Sequence, residues 1–354
     1  MNSRERVRTA LEHRCPDRVP LLLWMTPEVS AAMRSHLQVE SDNDLLDKLD
    51  IDVRWLLADY VGPELKEYED GSREDMFGMR MRSVKNEFGA YDKHVYHPLA
   101  QAETVEQVDQ LRWPEPQWWD YTSLKREIAL ADRVEPRWLG IGYVSFFERG
   151  WCLTGFEKWL FDIAMNPELV DAILDHLFDL YLAQTRCLLE AAEGRIDMVY
   201  LGDDLSSQDS LLISPAMFRR FIKGRWQRFI DTIKEEFGDH LKFHFHSCGA
   251  VAEIVPDLID MGIDILNPLQ PLAKGMEPAG LKSRFGKKLS FSGGFDIQEL
   301  LPHSTAQEVW AEAQRLVGIL GRDGGYIASA AHAVQPDTSV ENIMAMLDGF
   351  KNAG

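Results

Sequence analysis

The chain has few cysteines, a deficit of basic residues and no long apolar run. Its four cysteines, Cys15, Cys152, Cys187 and Cys248, are scattered through 354 residues. Without framework spacing they build no disulfide scaffold, and a reducing compartment is expected. Lysine and arginine total 38 against 57 aspartates and glutamates, a net charge of -19. A surface of that sign repels nucleic-acid phosphates and anionic lipid, so neither nucleic acid nor membrane is expected as a partner. It also disfavours a highly anionic substrate, unless a local basic pocket overrides the field. No apolar run approaches the roughly 20 residues of a membrane span. The opening Met1-Asn2-Ser3-Arg4-Glu5-Arg6 is charged at once and lacks a signal core. A cytoplasmic location follows as the expectation. No internal repeat, low-complexity tract or linker is evident. One domain over 1–354 is expected, with an irregular, hairpin-bearing insertion around 53–96.

What is present is an apolar fraction of 45%, enough for a large core. Residues 3–13 read as an amphipathic helix and Val19 to Met25 as a buried strand. A strand from Trp138 to Ser145 precedes a long helix over 167–193, with Asn166 as N-cap and Pro167 at its first position. From there strands and helices alternate. Strands are expected at 197–201, 241–245, 264–267, 288–292 and 326–329. Helices open at Ser214-Pro215, Val251, Pro278, Ser304 or Thr305, and Thr338, the last two with Glu308 and Glu341 completing capping boxes. Alternation with short buried strands predicts a parallel sheet with helical crossovers. Polar residues cluster just past one strand after another: Asp203 and Asp204, His246 and Cys248, Asn267 and Gln270, Asp296, His332 and Gln335. Contributions from so many strand ends converge only if the sheet closes. The predicted fold is therefore an α/β (β/α)8 TIM barrel with its site at the C-terminal face.

The sharpest chemical feature is His244-Phe-His246-Ser-Cys248-Gly249. Side chains alternate along a strand, so His244, His246 and Cys248 face inward while Phe243 and Phe245 pack outward on helices. Imidazole and thiolate suit zinc, and Gly249 permits a tight turn beside them. A bare His-x-Cys is more often a hydrogen-bonded histidine next to an inert thiol. His332, at the mouth of a later strand, supplies the third ligand usual at a catalytic zinc. Asp203 and Asp204 are candidates for general base, metal ligand or substrate anchor, one of them being more ordinary as a loop-ordering group. Glu148 follows a strand and is a candidate to ligate or orient the metal. Gln208, Asn267 and Gln335 are candidates for hydrogen bonds to a ligand or cofactor. Trp151, Trp159 and the Trp118–Trp119 pair read as core aromatics, some able to line a mouth for a flat ligand.

Several of these segments together resemble the uroporphyrinogen decarboxylase superfamily along nearly the whole chain. They are Arg4-Glu-Arg-Val-Arg-Thr-Ala-Leu with Pro16-Asp17-Arg18-Val19-Pro20, Gly202-Asp203-Asp204, His246-Ser-Cys248-Gly249, Gly293-Gly294-Phe-Asp296, and Gly324-Gly325-Tyr-Ile with His332, Pro336-Asp337-Thr338 and Glu341-Asn342. The resemblance implies a (β/α)8 barrel and two chemistries. Decarboxylases of the family use no metal and hold many carboxylates with an arginine-rich N-terminal segment; here that stretch is Leu23-Trp24-Met25-Thr26-Pro27-Glu28, without arginine. Polycarboxylate recognition needs bidentate Arg clamps, so the resemblance is closer to the zinc-dependent, corrinoid-linked methyltransferases. These hold zinc by His-x-Cys and a late cysteine. His246 and Cys248 match the first two, and His332 stands where the late cysteine is expected. The implied activity is methyl transfer between a small methylated or methoxylated substrate and a corrinoid protein or thiol, with zinc as metal, a corrinoid carried by a partner protein, and a homodimer as assembly. The alternatives are a porphyrinogen or other carboxylate decarboxylase, with Asp203 or Asp204 handling pyrrole protons, and a non-enzymatic binding protein.

Overall fold

A computed structural model describes residues 1–85 and 90–353. Seven parallel strands lie in sequence order: β1 (Val53–Leu56), β2 (Trp138–Val144), β3 (Met198–Gly202), β4 (Lys242–His246), β5 (Ile265–Leu269), β6 (Ser290–Phe295) and β7 (Tyr326–Ala330). The expected first strand, 19–25, closes the ring as an irregular eighth member. Leu22 N donates to Ala328 O and Ala328 N to Pro20 O on the β7 side, and Asp52 N donates to Leu21 O on the β1 side. Together these segments form the (β/α)8 barrel.

The register of this ring is set by carboxylates at its N-terminal end, Asp52 and Asp197 buried and Asp264 half-buried. Three strands open with the same short pattern, Ile51-Asp52-Val53, Ile196-Asp197-Met198 and Ile263-Asp264-Ile265. Each aspartate accepts from a backbone N–H of the neighbouring strand: Asp52 from Leu21 at 2.7 Å, Asp197 from Leu139 at 3.0 Å and Asp264 from Phe243 at 2.9 Å. Asp52, 0% exposed, is also clamped by Arg6 and Arg18 at 2.7 Å each. That pairing ties the N-terminal helix Ser3–Leu11 to the barrel floor. Val7 and Leu11 of this helix plug the interior beneath Leu22, Val53, Trp138, Met198, Ile265 and Ile327. The opposite strand faces, Phe243 and Phe245 among them, belong to the larger core beneath the helices. Gly140 on β2 has a packing reason to lack a side chain, since an added Cβ would stand 2.3 Å from the Trp55 ring.

Some expectations need correction. The irregular insertion starts later than residue 53, because Val53–Leu56 pairs with β2 in the barrel. Beyond it, Ser72–Glu74, Arg80–Lys85 and Ala90–Tyr96 form a three-stranded antiparallel sheet. Residues 86–89 of the expected insertion lie outside the described residues. The last helix is capped by Ser339, whose side chain accepts from Asn342 N, and not by Thr338 with Glu341. Asn166 occupies the N-cap of Pro167–Ala191, but its side chain turns back to Asp162 and makes no cap bond. Helices Pro27–Leu37, Phe147–Thr154 and Phe156–Met165 were not foreseen. The first begins at Thr26-Pro27, the same cap-plus-proline signature used elsewhere in the chain.

Asp52→Asn keeps an acceptor for Leu21 N but leaves two guanidinium groups facing a neutral amide. Breaking a buried pair in this way costs about 3–5 kcal/mol. Urea unfolding of the variant should show a loss of that order with an unchanged slope. A loss below about 1 kcal/mol, the scale of a surface pair, would show that Asp52 is not the anchor of the closing strand.

Candidate metal centre

Among the described residues, the His/Cys/carboxylate group compact enough for a metal is His246, Cys248 and His332, with donor atoms all within 4.8 Å of one another. His246 ends β4 and points into the barrel by the strand's alternation. Cys248 follows in the tight turn at Gly249. There φ is +84°, and an added Cβ would stand 2.3 Å from Ser207 O, so the turn excludes a side chain. The loop is pinned by Ser206 Oγ donating to Cys248 O at 2.7 Å and by Gly249 N donating to Gln270 Oε1 at 2.9 Å. His332 comes from just beyond β7, its ring centroid 5.6 Å from that of His246.

The donor set fits a zinc ion. His246 Nδ1 lies 2.7 Å from Asn267 Oδ1, which fixes the tautomer with its proton on Nδ1. Nε2 is left as a lone pair, 3.4 Å from Cys248 Sγ. A ligating histidine whose second nitrogen is held by an oxygen is the usual outer support of a metal site. Burial above all lowers the pKa of His246 and of His332, favouring the neutral imidazoles that ligation requires. Burial, then the negative charges of Asp204 and Glu148, push the Cys248 thiol above its usual range. Without a cation the sulfur therefore keeps its proton, and a bound divalent ion is what would stabilise the thiolate.

The two adjacent aspartates have separate positions. Asp203, fully buried, accepts from Ser145 Oγ, Glu148 N and Trp226 Nε1 at 2.9–3.0 Å. Burial raises its pKa to about 7. It orders the start of helix Phe147–Thr154 from behind the strands. Asp204 faces the centre, accepting from Cys248 N at 2.9 Å and lying 3.8 Å from His246 Nε2. Glu148 is outside the three-ligand group and accepts from Tyr143 Oη at 2.6 Å; burial raises its pKa. Gln208 is exposed and donates to Gln270 Oε1, tying two mouth loops together, and Gln335 donates to its neighbour Ala333 O. Asn267 is committed to His246.

Sequence reasoning missed the aromatic floor beside the centre. Trp24 lies 6.0 Å from His246 between ring centroids and 5.3 Å from Tyr200; Tyr200 is 5.9 Å from His246 and stacks on Tyr143 at 5.5 Å. The signal was the alternation Met198, Tyr200, Gly202 along β3, which turns all three inward. Below them His244 is 0% exposed, between Trp55 and Tyr200. Burial takes its pKa down to about 3, so it is a neutral interior ring. Replacing Asn267 by Ala frees the His246 ring, and zinc affinity should fall about 10–100-fold. Competition with a chromogenic chelator measures this, and an unchanged affinity would remove Asn267 from the site.

A family model described as uroporphyrinogen decarboxylase (URO-D) matches residues 146–353. No curated protein matches the sequence. Among solved structures, a methyltransferase from Methanosarcina mazei superposes with TM-score 0.68 at 17% identity, covering 99% of this chain and 98% of that one. A B12-independent methionine synthase from a Shewanella species gives TM-score 0.48 at 12% identity over 96% and 94%. At 17% identity the likeness to the Methanosarcina methyltransferase speaks for the fold alone. The matched segment carries Gly202-Asp203-Asp204, His246-Ser-Cys248-Gly249 and His332, more than half of the chain, and the protein belongs to the uroporphyrinogen decarboxylase family.

Proposed function

We propose that this protein is a zinc-dependent methyltransferase of the corrinoid-linked branch of its family, moving a methyl group between a small methylated or methoxylated substrate and a corrinoid protein or thiol. The observation that carries the reading is the convergence of His246, Cys248 and His332 from separate strand ends, with His246 already oriented by Asn267. His246 Nε2, Cys248 Sγ and a ring nitrogen of His332 would hold the metal. Zinc at such a centre supplies Lewis acidity, activating a substrate heteroatom as leaving group or lowering the pKa of a thiol.

The chain's own groups serve the reaction around that centre. Asp204 accepts the Cys248 N–H and so fixes the loop that presents the sulfur. It also faces the mouth, where a carboxylate can take or return the proton of an acceptor thiol. Trp24, Tyr143 and Tyr200 give the mouth an apolar floor that keeps water from the reacting methyl. The family's decarboxylase chemistry is disfavoured here by the segment at the start of the barrel. It places Trp24 against His246, and no arginine stands in 23–28 to clamp acidic side chains.

Wild-type protein prepared without chelator and given zinc should carry about one zinc per chain. His246→Ala and Cys248→Ala should each lower that content sharply while the far-ultraviolet circular dichroism stays unchanged. A metal-free wild type under those conditions would sink the reading.

His332 offers a finer test. If its ring is the third ligand, His332→Cys keeps the metal and His332→Phe weakens it, because thiolate can occupy an imidazole position. If both variants keep full zinc and lose only turnover, His332 contacts substrate instead. Uroporphyrinogen should not be converted, and production of coproporphyrinogen at ordinary enzyme rates would point to the decarboxylase branch.

A further inference from the structure

Next to the metal centre, at the C-terminal ends of β1 and β2, lies a second cavity of about 200 Å³. None of His246, Cys248 or His332 lines it. Its walls are mostly apolar, with Leu56 from β1, Phe77 from the insertion, Trp119 from the short strand Trp119–Asp120, and Leu180 and Leu188 from the helix Pro167–Ala191. That volume is below the roughly 300–1,000 Å³ of pockets for drug-sized ligands. It suits a compact body of about one ring.

One charged side chain lines this cavity, Arg149. The guanidinium lies over the Phe77 ring at 4.7 Å, and its Nε donates to Tyr181 Oη at 3.2 Å. Nη1 is 3.9 Å from Asp75 Oδ2, beyond hydrogen-bond distance, and Nη2 has no partner among the described residues. Asp75 Oδ1 accepts from Phe77 N and Met79 N at 2.9 Å each, which leaves Oδ2 as the oxygen that faces the arginine. The outer fork of Arg149 thus carries no hydrogen bond among the described residues, and the Asp75 carboxylate stands at ion-pair distance from it. That arrangement selects a carboxylate, since guanidinium matches its geometry and the surroundings strengthen the pair.

Tyr143 joins the two chambers. It lines the cavity and stacks on Tyr200. Its ring comes within 3.0 Å of where a Cβ on Gly202 would stand, a point itself 3.7 Å from His246 Cβ. The phenol is 39% exposed, so its ring borders solvent as well.

We propose that this cavity binds a small monocarboxylate with an apolar body, its carboxylate forked on Arg149 and its body along Phe77 and Leu180, its far end directed past Tyr143 toward the metal centre. The orientation of the far end rests on the methyltransferase reading; the anchoring on Arg149 does not.

The test is calorimetric titration of the full-length protein with benzoate and with benzamide, its uncharged counterpart, before and after treatment with chelator. Benzoate should bind at least about tenfold more tightly than benzamide, the scale of a charge-assisted hydrogen bond. Arg149→Gln should erase that preference and leave benzamide binding as it was. Leu180→Trp, which fills the chamber and keeps the arginine, should abolish binding of both compounds. If Arg149→Gln does not fold, Leu180→Trp decides alone, and retained benzoate binding in it overturns the proposal. Equal affinities for the two compounds in the wild type, or a preference that survives Arg149→Gln, also overturn it. Loss of benzoate binding on chelator treatment would place the carboxylate on the metal and equally overturn it. A wild type that carries no zinc but still prefers benzoate would defeat the methyltransferase reading while leaving the anchor standing.

Discussion

The constraint on which the structure depends is strand register, and it is fixed by carboxylates at the end of the barrel opposite the chemistry. Side chains alternate with a period of two, so a slip of one residue exchanges the two faces of a strand. On β4 such a slip would turn His244 and His246 into the helical layer and Phe243 and Phe245 into the barrel. Asp264, accepting from Phe243 N, holds that strand where it is. Asp197 does the same for β2 through Leu139 N, and Asp52 for the closing segment through Leu21 N. The N-terminal stretch supplies much of the neutralising charge, with Arg6 and Arg18 at Asp52 and Arg4 at Asp197, 2.7 Å away, while Arg195 also pairs with Asp197 and Lys242 with Asp264. The N-terminal helix is therefore part of the candidate site's support, although it lies at the far end of the barrel.

At the mouth the balance runs the other way. Few cations face His246 and Cys248, whose charged neighbours are Asp204 and, further off, Glu148. Burial disfavours charge on both imidazoles and on the thiol. The site is thus held as a set of neutral donors in a negative field, a state that a divalent cation would resolve. Here Asn267 satisfies one nitrogen of His246 and leaves the other facing the sulfur.

The barrel was legible because its crossovers announce themselves locally. Thr305 with Glu308 forms the expected capping box, and Ser214-Pro215 opens a helix as expected. The convergence of polar residues was legible because strand ends of a closed sheet share one face. Harder to read were features that depend on contacts distant in sequence. That Asp203 turns behind the strands while Asp204 faces the mouth is decided by Trp226 and Ser145, which no local pattern links to either. Asn267 reads as a polar residue at a strand end, and only the pairing of β4 with β5 sets it against His246. The Ile-Asp-apolar pattern at three strand starts was visible, but its meaning lies in the neighbouring strand's N–H. Val53–Leu56 was lost in the insertion because four residues before an irregular segment give periodicity little to work on.

The division of charge around Tyr143 connects the two chambers into one design. On one side stand Asp204 and Glu148, the latter accepting the Tyr143 hydroxyl; on the other stands Arg149, its outer fork without a hydrogen bond among the described residues and Asp75 at 3.9 Å. An anion entering this mouth is repelled from the metal side and attracted to the arginine side. A molecule with one carboxylate and one neutral end would thereby be sorted end for end before it reaches the donors. The same sorting would work against a substrate acidic around its whole rim, because every orientation would bring a carboxylate against Asp204 or Glu148. A net charge of -19 and one arginine lining the cavity are compatible on these terms: the surface field disfavours polyanions, and the local fork would admit one carboxylate in one direction.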